Sequence, residues 1–167
     1  MFLTTRKTLK GFTLIELLIV IAIIGILAAA VLVAVNPAKR QNQAKDAQVK
    51  SDIGSIATAM QAYFTTPGAG SYPDNGAGEG LAILVANGDL KQVPTPPAGS
   101  SASYQYGVFP TATCDLDAVP AVLCTEAYVY ATLLDPAAAG NVWCYETIEG
   151  KAEEETVVQC TDNDAAT

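Results

Sequence analysis

From Leu14 to Val35 the chain is apolar at every position except Glu16, and no proline interrupts the run. At 1.5 Å per residue it predicts a helix of about 33 Å, enough to cross a bilayer core of about 30 Å. After Asn36-Pro37 the pattern changes. Residues 38–48 are rich in Lys, Arg, Gln, Asp and Ala, as on an exposed helix. Val49, Ile53, Ile56, Ala57, Met60, Tyr63 and Phe64 then recur at helical spacing, an amphipathic stripe suited to lie against a sheet. Asp46 and Lys50 form an acid-before-base pair on that helix, worth a few tenths of a kcal/mol. Thr65-Thr66-Pro67-Gly68 ends the element. Read as one helix from Leu14 to Thr65, it is roughly 78 Å long, with Asn36-Pro37 as a bend or a fresh start.

Residues 67–103 read as a Gly- and Pro-rich connector, with a short helix over 80–88 capped by Gly88. Three aromatic and β-branched segments follow at 104–109, 127–134 and 141–148. A sheet that packs one face on the helical stripe buries both apolar surfaces. The expected class is therefore α+β: a long amino-terminal helix on a small antiparallel sheet of about three to four strands. The tyrosines read as strand packing rather than as a binding stripe.

Charge adds a direction. Arg6, Lys7 and Lys10 precede the apolar run, and the positive-inside rule places that end in the cytoplasm. An ordinary secretory signal has an apolar region of about 7–15 residues before its cleavage site. The length of this run and its acid argue against reading Ala28-Ala29-Ala30 as such a site. A plain signal anchor is the other simple reading. From Ser51 onward only Lys91 and Lys151 oppose 15 acids, a surface that repels phosphate backbones and argues against nucleic acid as a partner of the head.

Chemistry is sparse. The chain has no histidine, so Ser-His and Cys-His nucleophile pairs are excluded, and it carries no phosphate-loop or dinucleotide fingerprint. It reads as no enzyme, with no catalytic residue. Cys114, Cys124, Cys144 and Cys160 all follow the apolar run, and four cysteines allow three pairings. Without Cys-x-x-Cys spacing, disulfides outrank zinc. Neighbour pairing, Cys114–Cys124 and Cys144–Cys160, is the expectation, each contributing about 3 kcal/mol. Asp115, Asp117, Asp162 and Asp164 are weak candidates for calcium. They read better as solvated loop acids, so no cofactor is expected.

One constellation outweighs the rest. Lys10-Gly11 stands directly before Phe12-Thr13-Leu14-Ile15-Glu16, and Glu16 lies inside the apolar run. A carboxylate at mid-bilayer costs about 2.5–3.5 kcal/mol on insertion scales, so a partner is required. A cut after Gly11 would create one, the free amine of Phe12. Gly11-Phe12-Thr13-Leu14-Ile15-Glu16 with its apolar continuation resembles the prepilin leader of type IV pilins and type II secretion pseudopilins. The order Tyr-Pro, Gly-Leu-x-x-Leu, Asn-Gly-x-Leu-Lys and Val-Pro after the helix is similar to the same family, more loosely.

That resemblance implies cleavage between Gly11 and Phe12, N-methylation of Phe12, and a role for Phe12 and Glu16 in assembly. Glu16 would neutralise the amino terminus of a neighbouring subunit. Gly25 matches a position where a glycine weakens the helix. Many members have a proline near Val33, whereas here the first is Pro37, so the kink is expected to fall later. Removal of Arg6, Lys7 and Lys10 takes nine cations to six against 17 acids, a net of −11.

The implied organisation is a leader over 1–11, a transmembrane and polymerisation helix over 12–35, an amphipathic helix over 36–66, and an extracytoplasmic head over 67–167. The implied partners are copies of the chain and other pilins, the prepilin peptidase, a platform protein, an assembly ATPase and the inner membrane. The subunit would build a surface pilus or a periplasmic pseudopilus. The rival reading is a membrane-anchored binding module, for a ligand or calcium, that does not polymerise.

Overall fold

The computed structural model describes residues 11–66, 68–76, 80–110, 114 and 122–161. The chain divides into two compact units, residues 1–40 and 41–167.

In the first unit, Leu14–Val35 form helix α1, whose mean hydropathy reaches 3.3. Thr13 caps it from an extended conformation, because its side-chain oxygen accepts the Glu16 amide that has no partner within the first turn. Asn36 then turns left-handed, at φ 44° and ψ 80°. That conformation ends α1, and Pro37 opens helix α2, Pro37–Thr65. Proline fits there because a first-turn N–H needs no helical acceptor. The Asn36 side-chain oxygen accepts the Lys39 amide at 3.3 Å, as an N-cap does. Of the two readings of Asn36-Pro37, a bend or a fresh start, the fresh start is the one observed, with separate helices on either side of Asn36.

In the second unit, α2 buries Val49, Ile53, Ile56, Ala57, Ala59 and Met60. They pack against Ala127, Val129, Ala131 and Tyr145 of the sheet and against Leu84 of the short helix α3, Gly80–Ala86. The sheet is an antiparallel meander in the order β1-β2-β3-β4, made of Gln105–Phe109, Glu126–Thr132, Asn141–Glu146 and Lys151–Thr156. Along β2 the burial alternates, with Ala127, Val129 and Ala131 toward α2 and Tyr128 and Tyr130 on the opposite face. The α+β architecture read from the pattern is the one observed, with α2 as the helix on the sheet.

Two elements lay outside the segments named from sequence. β4, Lys151-Ala152-Glu153-Glu154-Glu155-Thr156, is charged and poor in strand formers, yet it pairs along its full length with β3. A short helix α4, Val157–Thr161, follows and carries Cys160 of the Cys144–Cys160 bridge. A reciprocal cap starts that helix, with Thr156 Oγ1 donating to Gln159 Oε1 at 2.8 Å and accepting the Gln159 amide at 3.3 Å.

Where α2 ends, Gly68 N–H donates to Tyr63 O at 2.7 Å and Gly70 N–H to Phe64 O at 2.9 Å. A Cβ on Gly68 would run into the Ser71 carbonyl and the Tyr63 ring. Because one obstacle is backbone, Gly68→Ala is expected to cost about 1–3 kcal/mol, read as a lower thermal midpoint with an unchanged far-UV spectrum.

Candidate functional site

The amino-terminal segment is built by one local device. Gly11, Phe12 and Thr13 are non-helical, and Phe12 is 89% exposed. The Thr13 N–H and hydroxyl both donate to Glu16 Oε2, at 2.8 and 2.7 Å. The Glu16 amide returns a bond to Thr13 Oγ1 at 3.3 Å. This capping box fixes the helix start at Leu14 and leaves the Gly11–Phe12 bond outside the helix. It also supplies the carboxylate with neutral donors only.

No residue of α1 is buried. Leu14, Leu17, Ile21, Ile24, Val31 and Val33 each keep more than half of their surface open. An apolar surface that large is unstable in water, so it belongs in lipid or against other helices. Gly25 meets nothing that would crowd a Cβ, so no packing within the described residues asks for a glycine there.

The structure joins Cys114 to Cys124 and Cys144 to Cys160, with Cα separations of 5.5 and 5.9 Å. The first bridge is held against the connector: Tyr72 N–H donates to Cys124 O at 2.8 Å, and the buried Ser71 hydroxyl accepts the Cys124 amide at 3.0 Å. The second ties α4 to β3. Asp115, Asp117, Asp162 and Asp164, the weak calcium candidates, lie outside the described residues, as do the leader cations Arg6, Lys7 and Lys10.

Cys144, Glu146, Glu155 and Cys160 offer sulfur and oxygen atoms within 4.8 Å of one another. Both sulfurs are spent in the disulfide, so thiolate ligation is not open to them. The carboxyl of Glu146 is pushed up to about 7, first by burial, then by Glu155, Glu149 and Glu153. Burial and the Glu153 charge raise Glu155 in the same sense. Lys151 is raised by bonds to Glu149 and Glu153, at 2.7 and 2.9 Å.

Two arrangements escaped the sequence reading. Asp46 is buried, and its two oxygens accept the Leu134 and Asp135 amides at 2.7 and 2.8 Å. Lys50, read as its partner, sits over the Trp143 ring at 4.2 Å. Tyr104, buried against the helix, donates to Asp52 at 2.7 Å, and burial followed by that bond raises its hydroxyl. These contacts bind α2 to the sheet and its loops. None assembles a nucleophile with a base.

Comparison with known proteins points the same way. Residues 6–32 match the family model described as the prokaryotic N-terminal methylation motif. Over 114 residues the chain is 38% identical to the type II secretion system core protein G of Pseudomonas aeruginosa, covering 60% of this chain and 75% of that protein. Over 115 residues it is 34% identical to the type IV major pilin protein PilA of Myxococcus xanthus, covering 59% of this chain. The fimbrial protein EcpC of Eikenella corrodens is 36% identical over 96 residues, or 58% of this chain. The chain spans about half the Myxococcus protein, 51%, and 60% of the Eikenella protein. No solved structure matches it. Pilins and pseudopilins are structural proteins rather than enzymes, and the chain belongs to the type IV pilin and type II secretion pseudopilin family.

Proposed function

We propose that this chain is a prepilin cut after Gly11, methylated on Phe12, and polymerised through residues 12–35 into a pilus or pseudopilus. One observation carries the reading: α1 is exposed along its whole length while its one acid, Glu16, has only Thr13 as a donor among the described residues. In a membrane or a helix bundle an ionised carboxylate needs an opposite charge. The ammonium of a neighbouring subunit's processed Phe12 supplies it.

The basic segment before Gly11 stays cytoplasmic in this reading, where the peptidase acts. The head lies outside, where disulfides persist. The platform protein and the assembly ATPase then lift α1 from the bilayer into the filament, with the acidic head outward. The reading requires no cofactor. The domain limits follow from it: leader 1–11, polymerisation helix 12–35, amphipathic helix 36–66 and head 67–167.

Shearing cells of the native host separates the two filament types. A surface pilus predicts the chain in the sheared fraction. A pseudopilus predicts a membrane-confined chain whose deletion stops exoprotein release. A chain found in neither, whose loss affects neither, would overturn the proposal in favour of an anchored binding module.

A further inference from the structure

The sheet face turned away from α2 carries a group of acids. The register sets Glu146 opposite Lys151, Cys144 opposite Glu153 and Val142 opposite Glu155. Strand alternation turns all six side chains to that one face. Tyr128 of β2 is the cross-strand neighbour of Glu146, and Cys160 of α4 is bridged to Cys144 on the same side. Carboxylate oxygens of Glu146 and Glu155 lie within 4.8 Å.

Two oxygens on this face are enclosed without a hydrogen-bond partner among the described residues, Glu146 Oε1 and Glu126 Oε2. Both side chains line a cavity of about 10 Å³, closed by Phe109, Tyr128, Ile148 and Cys160. It is scarcely the size of one water, so solvent does little there to stabilise a charge on Glu146. Lys151, the cation on this face, is drawn to Glu149 and Glu153.

We propose that this face is a proton-operated clasp: a proton held by Glu146 fastens the edge strand β4 and helix α4 to the sheet, and its loss loosens them. Every element packed around Glu146 contributes to the balance. β2 brings Glu126 and Tyr128, β4 brings Lys151, Glu153 and Glu155, and the β3–β4 turn brings Glu149. β1 brings the apolar Phe109, and α4 brings Cys160, whose sulfur is bonded and does not titrate. Four further carboxylates thus meet one ammonium, and ionising Glu146 adds a fifth. β4 is open to this repulsion because, as an edge strand, it is held on one side only, by β3.

The direction of the pH effect follows. The folded head raises the Glu146 carboxyl to about 7, against about 4.3 for an unfolded glutamate. Folding therefore binds the proton. The clasp is fully fastened below the unfolded value and loosens as pH rises through the folded one. Glu155, raised for the same reasons, adds to the effect. The disulfide tethers α4 throughout, so the change is a local opening rather than loss of the tail.

Hydrogen exchange on the full chain in detergent tests this, with β2 amides as internal reference and rates corrected for intrinsic pH dependence. Amides of β4 should be about tenfold better protected at about pH 5.5 than at about pH 8. Glu146→Gln should show acid-like protection at the higher pH and lose most of the dependence. Glu155→Gln should move the midpoint to lower pH. Equal protection of β4 at both pH values, or an undiminished dependence in Glu146→Gln, would overturn the clasp. Neither result depends on whether the chain polymerises.

Discussion

Glu16→Ala is expected to abolish filament formation while the subunit still accumulates in the membrane. The substitution removes a carboxylate whose donors among the described residues are the Thr13 amide and hydroxyl, and it leaves the apolar surface of α1 intact. Insertion should improve slightly, since a charge leaves the bilayer. Assembly should fail, because each processed Phe12 would then bury an uncompensated ammonium. Breaking one partner of a buried ion pair costs about 3–5 kcal/mol, roughly a hundredfold or more at every subunit contact. Glu16→Gln tests the charge itself. Its amide can still accept the Thr13 bonds and keep the helix start, so failure of this variant would assign the effect to charge rather than to capping. Fractionation of sheared fibres against membranes reads both variants. Fibres at the normal level from Glu16→Ala would remove the registration role of this carboxylate.

Asp46→Ala is the second large effect, and it falls on the head. The wild-type carboxylate accepts the Leu134 and Asp135 amides, which fixes the loop after β2 onto α2. Truncation leaves two donors unpartnered at a buried position, at about 1–3 kcal/mol each and more when the lost acceptor is charged. A loss of about 3–4 kcal/mol is expected, a fall of roughly 10 °C in thermal midpoint for a domain of this size. Asp46→Asn should recover about half of it, since one amide oxygen can still accept. A melt within about 1 °C of wild type for the alanine variant would mean that the loop finds other acceptors.

Asp46 also marks the limit of what the sequence discloses. Its spacing to Lys50 suits a helix-surface pair, and nothing nearby announces that its partners lie in a loop 88 and 89 residues away. Lys50 likewise goes to Trp143 on β3. Tertiary contacts outbid a local pairing worth only a few tenths of a kcal/mol. β4 was hidden for a similar reason. Its three consecutive glutamates carry no strand preference, and pairing with β3 after the Gly150 turn, at φ 66°, imposes the extended form.

Other features were legible because their signals are local or periodic. The stripe from Val49 to Met60 declares a helix face at sight, and the structure buries it. The alternation in Ala127-Tyr128-Val129-Tyr130-Ala131 declares a half-buried strand, and the burial follows it. The glycine, phenylalanine and glutamate of the amino-terminal segment form a contiguous motif, so the family could be read directly from the chain. The opposed carboxylates of the outer face could not, because Glu126, Glu146 and Glu155 meet only once the register of three strands is set.

The central claim is that the chain is a processed, polymerising subunit, and the intact mass of the protein from its native host tests it most directly. The account predicts a species that has lost residues 1–11 and begins at a singly methylated Phe12. A chain still beginning at Met1, in membranes that contain an active prepilin peptidase, would contradict it.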